Sequence, residues 1–359
     1  MQKNDIKIKQ VCALFIAFLP LTKIITAPSV FALNCGEKLW QPLIILLSLD
    51  LILLLFLIYV CKKNGNKSFF NVLNEASPTL AKGVFFIYSI FFLLKAFIPI
   101  IEHKQLIEYS FYETLPLAPV FYPCFAIIFY LCIKGFKVLG RVSEFAVVFT
   151  LIGLGLIFFL SVFSTDFSAL LPLIAGSNKS GPITALNALW WFNDAIYLLF
   201  FLGRFDLQKK SGLKIFASYL LPFCAVILFY CIFYGIFTYV SPAQNVALSE
   251  ISIFSVSLVN VGRFDYVATF ILCFSGVFSI AIPVVCSVKC LTASLGLNRS
   301  KIPAIIICLL LLLLTILFSA KYTAVLAFYT KYLTPLFLIC GYIMPLLYLL
   351  GGKKDVQKV

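Results

Sequence analysis

Apolar runs about 20 residues long recur from one end of this 359-residue chain to the other. That is the helix length needed to cross a hydrocarbon layer of ~30 Å. A segment in lipid must satisfy its own backbone hydrogen bonds, so helix is the expected form. A transmembrane barrel would show alternating segments of ~10 residues instead, and the unbroken run Ile305 to Phe318 excludes that. Composition agrees: 62% of residues are hydrophobic and 12% are charged, against roughly 25% charged in a soluble domain. The chain reads as an all-α polytopic membrane protein, a single integral membrane domain over 1–359. Ten spans are expected, at roughly 10–33, 41–60, 82–101, 117–136, 142–163, 183–203, 213–240, 264–288, 302–320 and 332–350. The seventh and eighth are long enough to require tilt or extension beyond the bilayer. The remaining stretches (61–81, 102–116 and 241–263 are the longest) read as loops with short interfacial helices.

Lys and Arg placement orients these spans. With the N-terminus in the cytoplasm, 20 of the 28 basic residues fall on the inner side, among them Lys3, Lys7, Lys9, Lys62, Lys63, Lys134, Lys137, Arg141, Arg204, Lys209, Lys210, Lys354 and Lys358. The outer side holds Lys38, Lys104, Lys179, Arg263, Lys321 and Lys331, and Lys23 and Lys95 lie within spans. A wrong helix count would scramble this asymmetry, so it supports ten spans with both termini cytoplasmic. It also accounts for the net charge of +14 without a nucleic-acid partner. Lys3, Lys7 and Lys9 ahead of an apolar stretch loosely resemble a signal peptide ending at Val30-Phe31-Ala32. Pro20 and Lys23 interrupt that stretch, and the segment is expected to be retained as a helix.

The twelve cysteines sit mostly inside apolar runs and His103 is the only histidine. No zinc spacing appears, and these thiols read as small packing residues. No metal site or cofactor is expected. Neither a nucleophile–base set nor a phosphate-cradling glycine loop is present, so the chain is not read as an enzyme.

Ionisable groups at mid-span carry the functional signal, because each costs about 2.5–3.5 kcal/mol on insertion scales. Four qualify: Lys23 in span 1, Asp50 in span 2, Lys95 in span 3 and Asp194 in span 6. Glu144, three residues from Arg141, reads as an interfacial pair. Two spans also look broken. Span 1 holds Pro20 and Pro28 around Thr22, Lys23 and Thr26, and proline removes a backbone donor. Span 6 holds Trp190-Trp191-Phe192-Asn193-Asp194, whose Asn-Asp pair favours non-helical backbone. Spans 1 and 6 are five apart, so five helices per half would make them corresponding members of two inverted repeats, 10–163 and 183–350. Matching broken helices of that kind point to a transporter-type site. The candidate ligand-binding residues are Thr22, Lys23, Thr26, Lys95, Asn193, Asp194 and Ser275, with Asp50 a candidate charge partner of either lysine. The competing reading is that the lysines only neutralise the aspartates as structural glue.

Several stretches resemble the spore germination receptor B-subunit family, a branch of the amino acid-polyamine-organocation superfamily of permeases. Lys23-Ile-Ile-Thr-Ala-Pro-Ser29, followed by Ala32 to Trp40, is similar to that family's first helix and the turn after it. Gly140-Arg-Val-Ser-Glu-Phe145 with Asp166-Phe-Ser-Ala-Leu-Leu-Pro172 resembles its fifth helix and exit loop, and Val261-Gly-Arg-Phe-Asp265 the opening of its eighth. The chain departs from the pattern at Thr22 and Lys23, where many members carry glycines, at Gly262 in place of an acid, and at Lys38 in place of the turn aspartate. The resemblance implies the five-plus-five inverted-repeat fold, with helices 1 and 6 broken. It implies a nutrient-sensing subunit in a spore inner membrane, or a bacterial cell membrane, acting beside A and C subunits on a small amino acid-like ligand. A proton- or cation-coupled amino acid permease is the alternative, and a structural membrane partner without a ligand is a third class.

Overall fold

The computed structural model describes residues 6–111, 121–171, 180–208, 210–255 and 264–353. Lys3, Lys179, Lys209, Arg263 with Val261 and Gly262, Pro172, Lys354, Lys358 and both chain ends lie outside the described residues. Most of those described are helical, and no strand is found among them.

The first segment is two half-helices, α1 (Ile8–Phe18) and α2 (Ala27–Cys35), joined by turns. Pro28 sits in the first turn of α2, where its missing N–H costs nothing. Then come α3 (Trp40–Lys63), a short α4 (Phe69–Ala76), α5 (Pro78–Phe111), α6 (Pro123–Lys134) and α7 (Phe136–Val162). A second divided segment follows as α8 (Gly181–Asn187) and α9 (Ile196–Phe201). Between them Asn193 adopts φ +59°, a left-handed conformation that asparagine tolerates better than most residues. The chain continues through α10 (Ser211–Phe237), α11 (Ala247–Ser255), α12 (Phe264–Ser294), α13 (Lys301–Phe318) and α14 (Tyr322–Phe328). Beyond α14 the path stays helical to Lys353, widened by π turns at Tyr329–Leu333 and Ile339–Ile343. Both breaks fall where the prolines and the Asn-Asp pair place them.

α5 and α12 form the middle of the molecule and pack along each other. Their apolar windows are 78% and 83% buried, against 33% for α7. Glycines permit the close approach: a Cβ at Gly276 of α12 would lie 2.6 Å from the His103 ring, and one at Gly153 of α7 would lie 2.8 Å from Leu272. α1 packs against α7 and α10. α13 is different. Leu309, Leu313, Ile316 and Leu317 are exposed, as expected of a lipid-facing surface where hydrocarbon replaces water. Six helical stretches are long and apolar enough to cross a membrane, and α1 and α6 are shorter apolar helices.

Three expectations are corrected. α5 runs to Phe111 rather than stopping near 101, so Glu102 and His103 are buried helix residues and not loop. The last helical path begins at Tyr322 rather than near 332. Glu144 makes no ion pair with Arg141 among the described residues. It accepts instead from Gln10 Nε2 at 3.5 Å, because α1 packs against that face of α7.

Candidate functional site

A helix that stops in mid-membrane leaves carbonyls and N–H groups without intrahelical partners, and in lipid each must find another. The two breaks solve this with charged side chains. Lys23, in the first break, donates through Nζ to the Leu19 carbonyl at 2.7 Å and to Thr22 Oγ1 at 3.4 Å. Lys95, reaching across from α5, donates to the carbonyls of Trp190, at 3.3 Å, and Phe192. Both ammonium groups then meet on one carboxylate. Lys23 pairs with Asp194 Oδ2, and Lys95 lies 3.1 Å from Oδ1. Aromatic faces complete the lysine shells: Lys23 stands 5.5 Å from the Phe192 ring centre and Lys95 5.6 Å from that of Tyr197. Such contacts suit a desolvated cation.

Asp50 is not the direct partner of either lysine; among the described residues no ion pair joins them. Its carboxylate receives the Asp194 backbone N–H at 3.3 Å, the Tyr342 hydroxyl at 2.8 Å and the Tyr219 hydroxyl. It therefore holds the unwound backbone of the second break through the Asp194 N–H. The buried group contains two ammonium groups, Lys23 and Lys95, and two carboxylates, Asp50 and Asp194.

Between α1, α5, α12 and the second break lies a cavity of about 30 Å³, room for roughly one or two waters. Thr22, Lys95, Asp194 and Ser279 supply its polar lining, and Phe18, Trp190, Trp191, Tyr197 and Ile282 much of its apolar wall. The site is thus shut around its own ion pairs.

The remaining candidates divide. Asn193 donates to the Phe337 carbonyl at 3.2 Å, and its amide lies so close over Gly341 that no Cβ would fit there. It fixes the second break to the last helix and does not line the cavity. Thr26 also stands outside the lining, with its hydroxyl on Glu102 and 2.6 Å from the Tyr322 hydroxyl. Ser275 is buried, its hydroxyl without a partner among the described residues, and Ser279, one turn further along α12, takes the lining position expected of it. The two serines share a face four residues apart, so the face was legible but the depth was not. Glu102, Tyr219 and Tyr342 escaped the sequence reading. Glu102 had a signal: it lies seven residues after Lys95, on the same helical face.

A family described as spore germination protein matches residues 5–324. No curated protein matches in sequence. Among solved structures, the nucleobase-cation-symport-1 family transporter Mhp1, closed with bromovinylhydantoin bound, is similar with a TM-score of 0.58 at 12% identity, over 95% of this chain and 77% of that one. Inward-facing Mhp1 gives 0.55 at 12% identity, over 99% and 78%. A manganese transporter of Eremococcus coleocola gives 0.54 at 9% identity, over 95% and 75%. At such identities the likeness concerns the fold alone: the all-α, inverted-repeat architecture of membrane transporters.

Proposed function

This chain belongs to the spore germination protein family, and from that membership we propose that it is the transporter-like membrane subunit of a nutrient germinant receptor. In this reading it does not act as an enzyme. It works in a spore inner membrane with both termini cytoplasmic, beside A and C subunits, and its two repeats are 10–163 and 183–350. The observation that carries the proposal is the meeting of Lys23, from the first helix break, and Lys95, from α5, on Asp194 in the second break.

The chemistry selects an amphoteric ligand such as an amino acid. Its carboxylate would take over from Asp194 on one lysine, and its ammonium would take Asp194 itself. Phe18, Trp190, Trp191 and Tyr197 supply an apolar wall for its side chain. The cavity is narrow and its polar groups are engaged with one another, so a ligand binds by opening the break and separating Asp194 from a lysine. The ligand then shifts the balance between closed and open forms by its differential affinity for the two. Thr22 and Ser279 serve as hydroxyl partners, while Thr26, Asn193 and Asp50 position the breaks.

Deletion in spores and counterflow in proteoliposomes test this together. Lost nutrient germination with no accumulation of labelled amino acids supports the receptor. Robust accumulation driven by a proton gradient supports a coupled permease instead. Unimpaired germination in Lys23→Met and Asp194→Asn strains would leave only a structural partner.

A further inference from the structure

Glu102 lies outside the cavity. It is fully buried in α5. One of its oxygens, Oε1, receives Trp191 Nε1 at 2.7 Å and is in hydrogen-bond contact with the hydroxyls of Thr26 and Tyr322, the latter at 2.7 Å. The Thr26 and Tyr322 hydroxyls are themselves 2.6 Å apart. Three oxygens therefore form a closed ring with three mutual contacts. A hydroxyl carries one hydrogen, so threonine and tyrosine supply two. An ionised carboxylate supplies none, and the ring is one hydrogen short.

The second carboxyl oxygen, Oε2, is buried with no partner among the described residues. Among the described residues no cation compensates a charge here either. Lys23 and Lys95 go to Asp194, and Lys104 goes to Glu108 and Ser319. The His103 ring packs against Gly276, Lys321 is exposed, and the nearby Tyr230 hydroxyl is spent on the Lys23 carbonyl. An ionised carboxylate buried without a cation, with one oxygen bare, is strongly disfavoured.

We propose that Glu102 is a proton-binding site, held as a neutral carboxylic acid whose hydrogen completes the ring with Thr26 and Tyr322. The ring joins the first break, α5 and the last helical path, and Trp191 ties in the second break. Loss of that proton removes one hydrogen bond and leaves a buried charge that only water can solvate. The latch then parts. This inference stands apart from the identity of any ligand.

Infrared spectra of the full chain in proteoliposomes, with and without ¹³C-labelled glutamate, test it. The expected result is a carbonyl band of unionised glutamate at neutral pH that moves with the label and fades as pH rises. Absence of a glutamate band at neutral pH overturns the proposal. Glu102→Gln must abolish the band, and its persistence overturns the assignment. Because the glutamine amide supplies hydrogen without ionising, amide protection across residues 24–27, with exchange corrected for its intrinsic rise with pH, must fall at alkaline pH in wild type but hold in this variant; equal falls contradict the latch. If Glu102→Gln fails to fold, Tyr322→Phe serves: removing one ring member must shift the band's frequency, and an unchanged frequency overturns the ring.

Discussion

Asp194 is the residue on which the rest of the charged group depends, because two ammonium groups share it. Breaking a buried ion pair costs about 3–5 kcal/mol when a charge is left unpaired. Asp194→Asn strands both lysines and is expected to cost in that range. Lys23→Met or Lys95→Met leaves Asp194 with one partner and is expected to cost less. Thermal unfolding in detergent should rank Asp194→Asn below both lysine variants, and equal or reversed ranking would contradict the shared carboxylate. The Lys23→Met, Asp194→Asn double variant should cost less than the sum of the singles, since the residues are in contact. The sequence showed that these groups were functional candidates through the expense of charge in an apolar run. It did not show the pairing, since Lys95 and Asp194 meet only after three elements pack. Glu102 was hidden for another reason: the apolar run ends at Ile101, and hydropathy cannot see a helix that continues with its polar groups buried.

At the scale of elements, both breaks were legible because Pro20, Pro28 and the Asn193-Asp194 pair act on the backbone locally. The junction between α4 and α9 was not. Gly203, at φ +77°, lets the backbone of Ser68 pass so close that any Cβ would collide with it. Backbone cannot swing aside as a side chain can. Gly203→Ala is expected to destabilise by more than about 1 kcal/mol. Gly83, inside α5 with nothing within 4 Å of a Cβ, provides the contrast. Gly83→Ala should gain about 0.5–1 kcal/mol from helix propensity. Opposite shifts in unfolding temperature check the pair, and a neutral Gly203→Ala would contradict the close crossing.

For the whole molecule, the distribution of basic residues predicts sidedness. A membrane-impermeant amine reagent applied to sealed right-side-out vesicles should label Lys38 and Lys321. It should reach Lys62, Lys63, Lys137 and Lys301 only after permeabilisation, and early labelling of the second group would reverse the orientation. If the joined breaks around Asp194 form the recognition site of a germinant receptor, the nutrient dose–response of germination must depend on that carboxylate. In spores carrying Asp194→Asn, with subunit abundance matched to wild type, the response should be displaced at least about tenfold, which corresponds to about 1.4 kcal/mol of lost differential binding. A wild-type dose–response at equal abundance would contradict it.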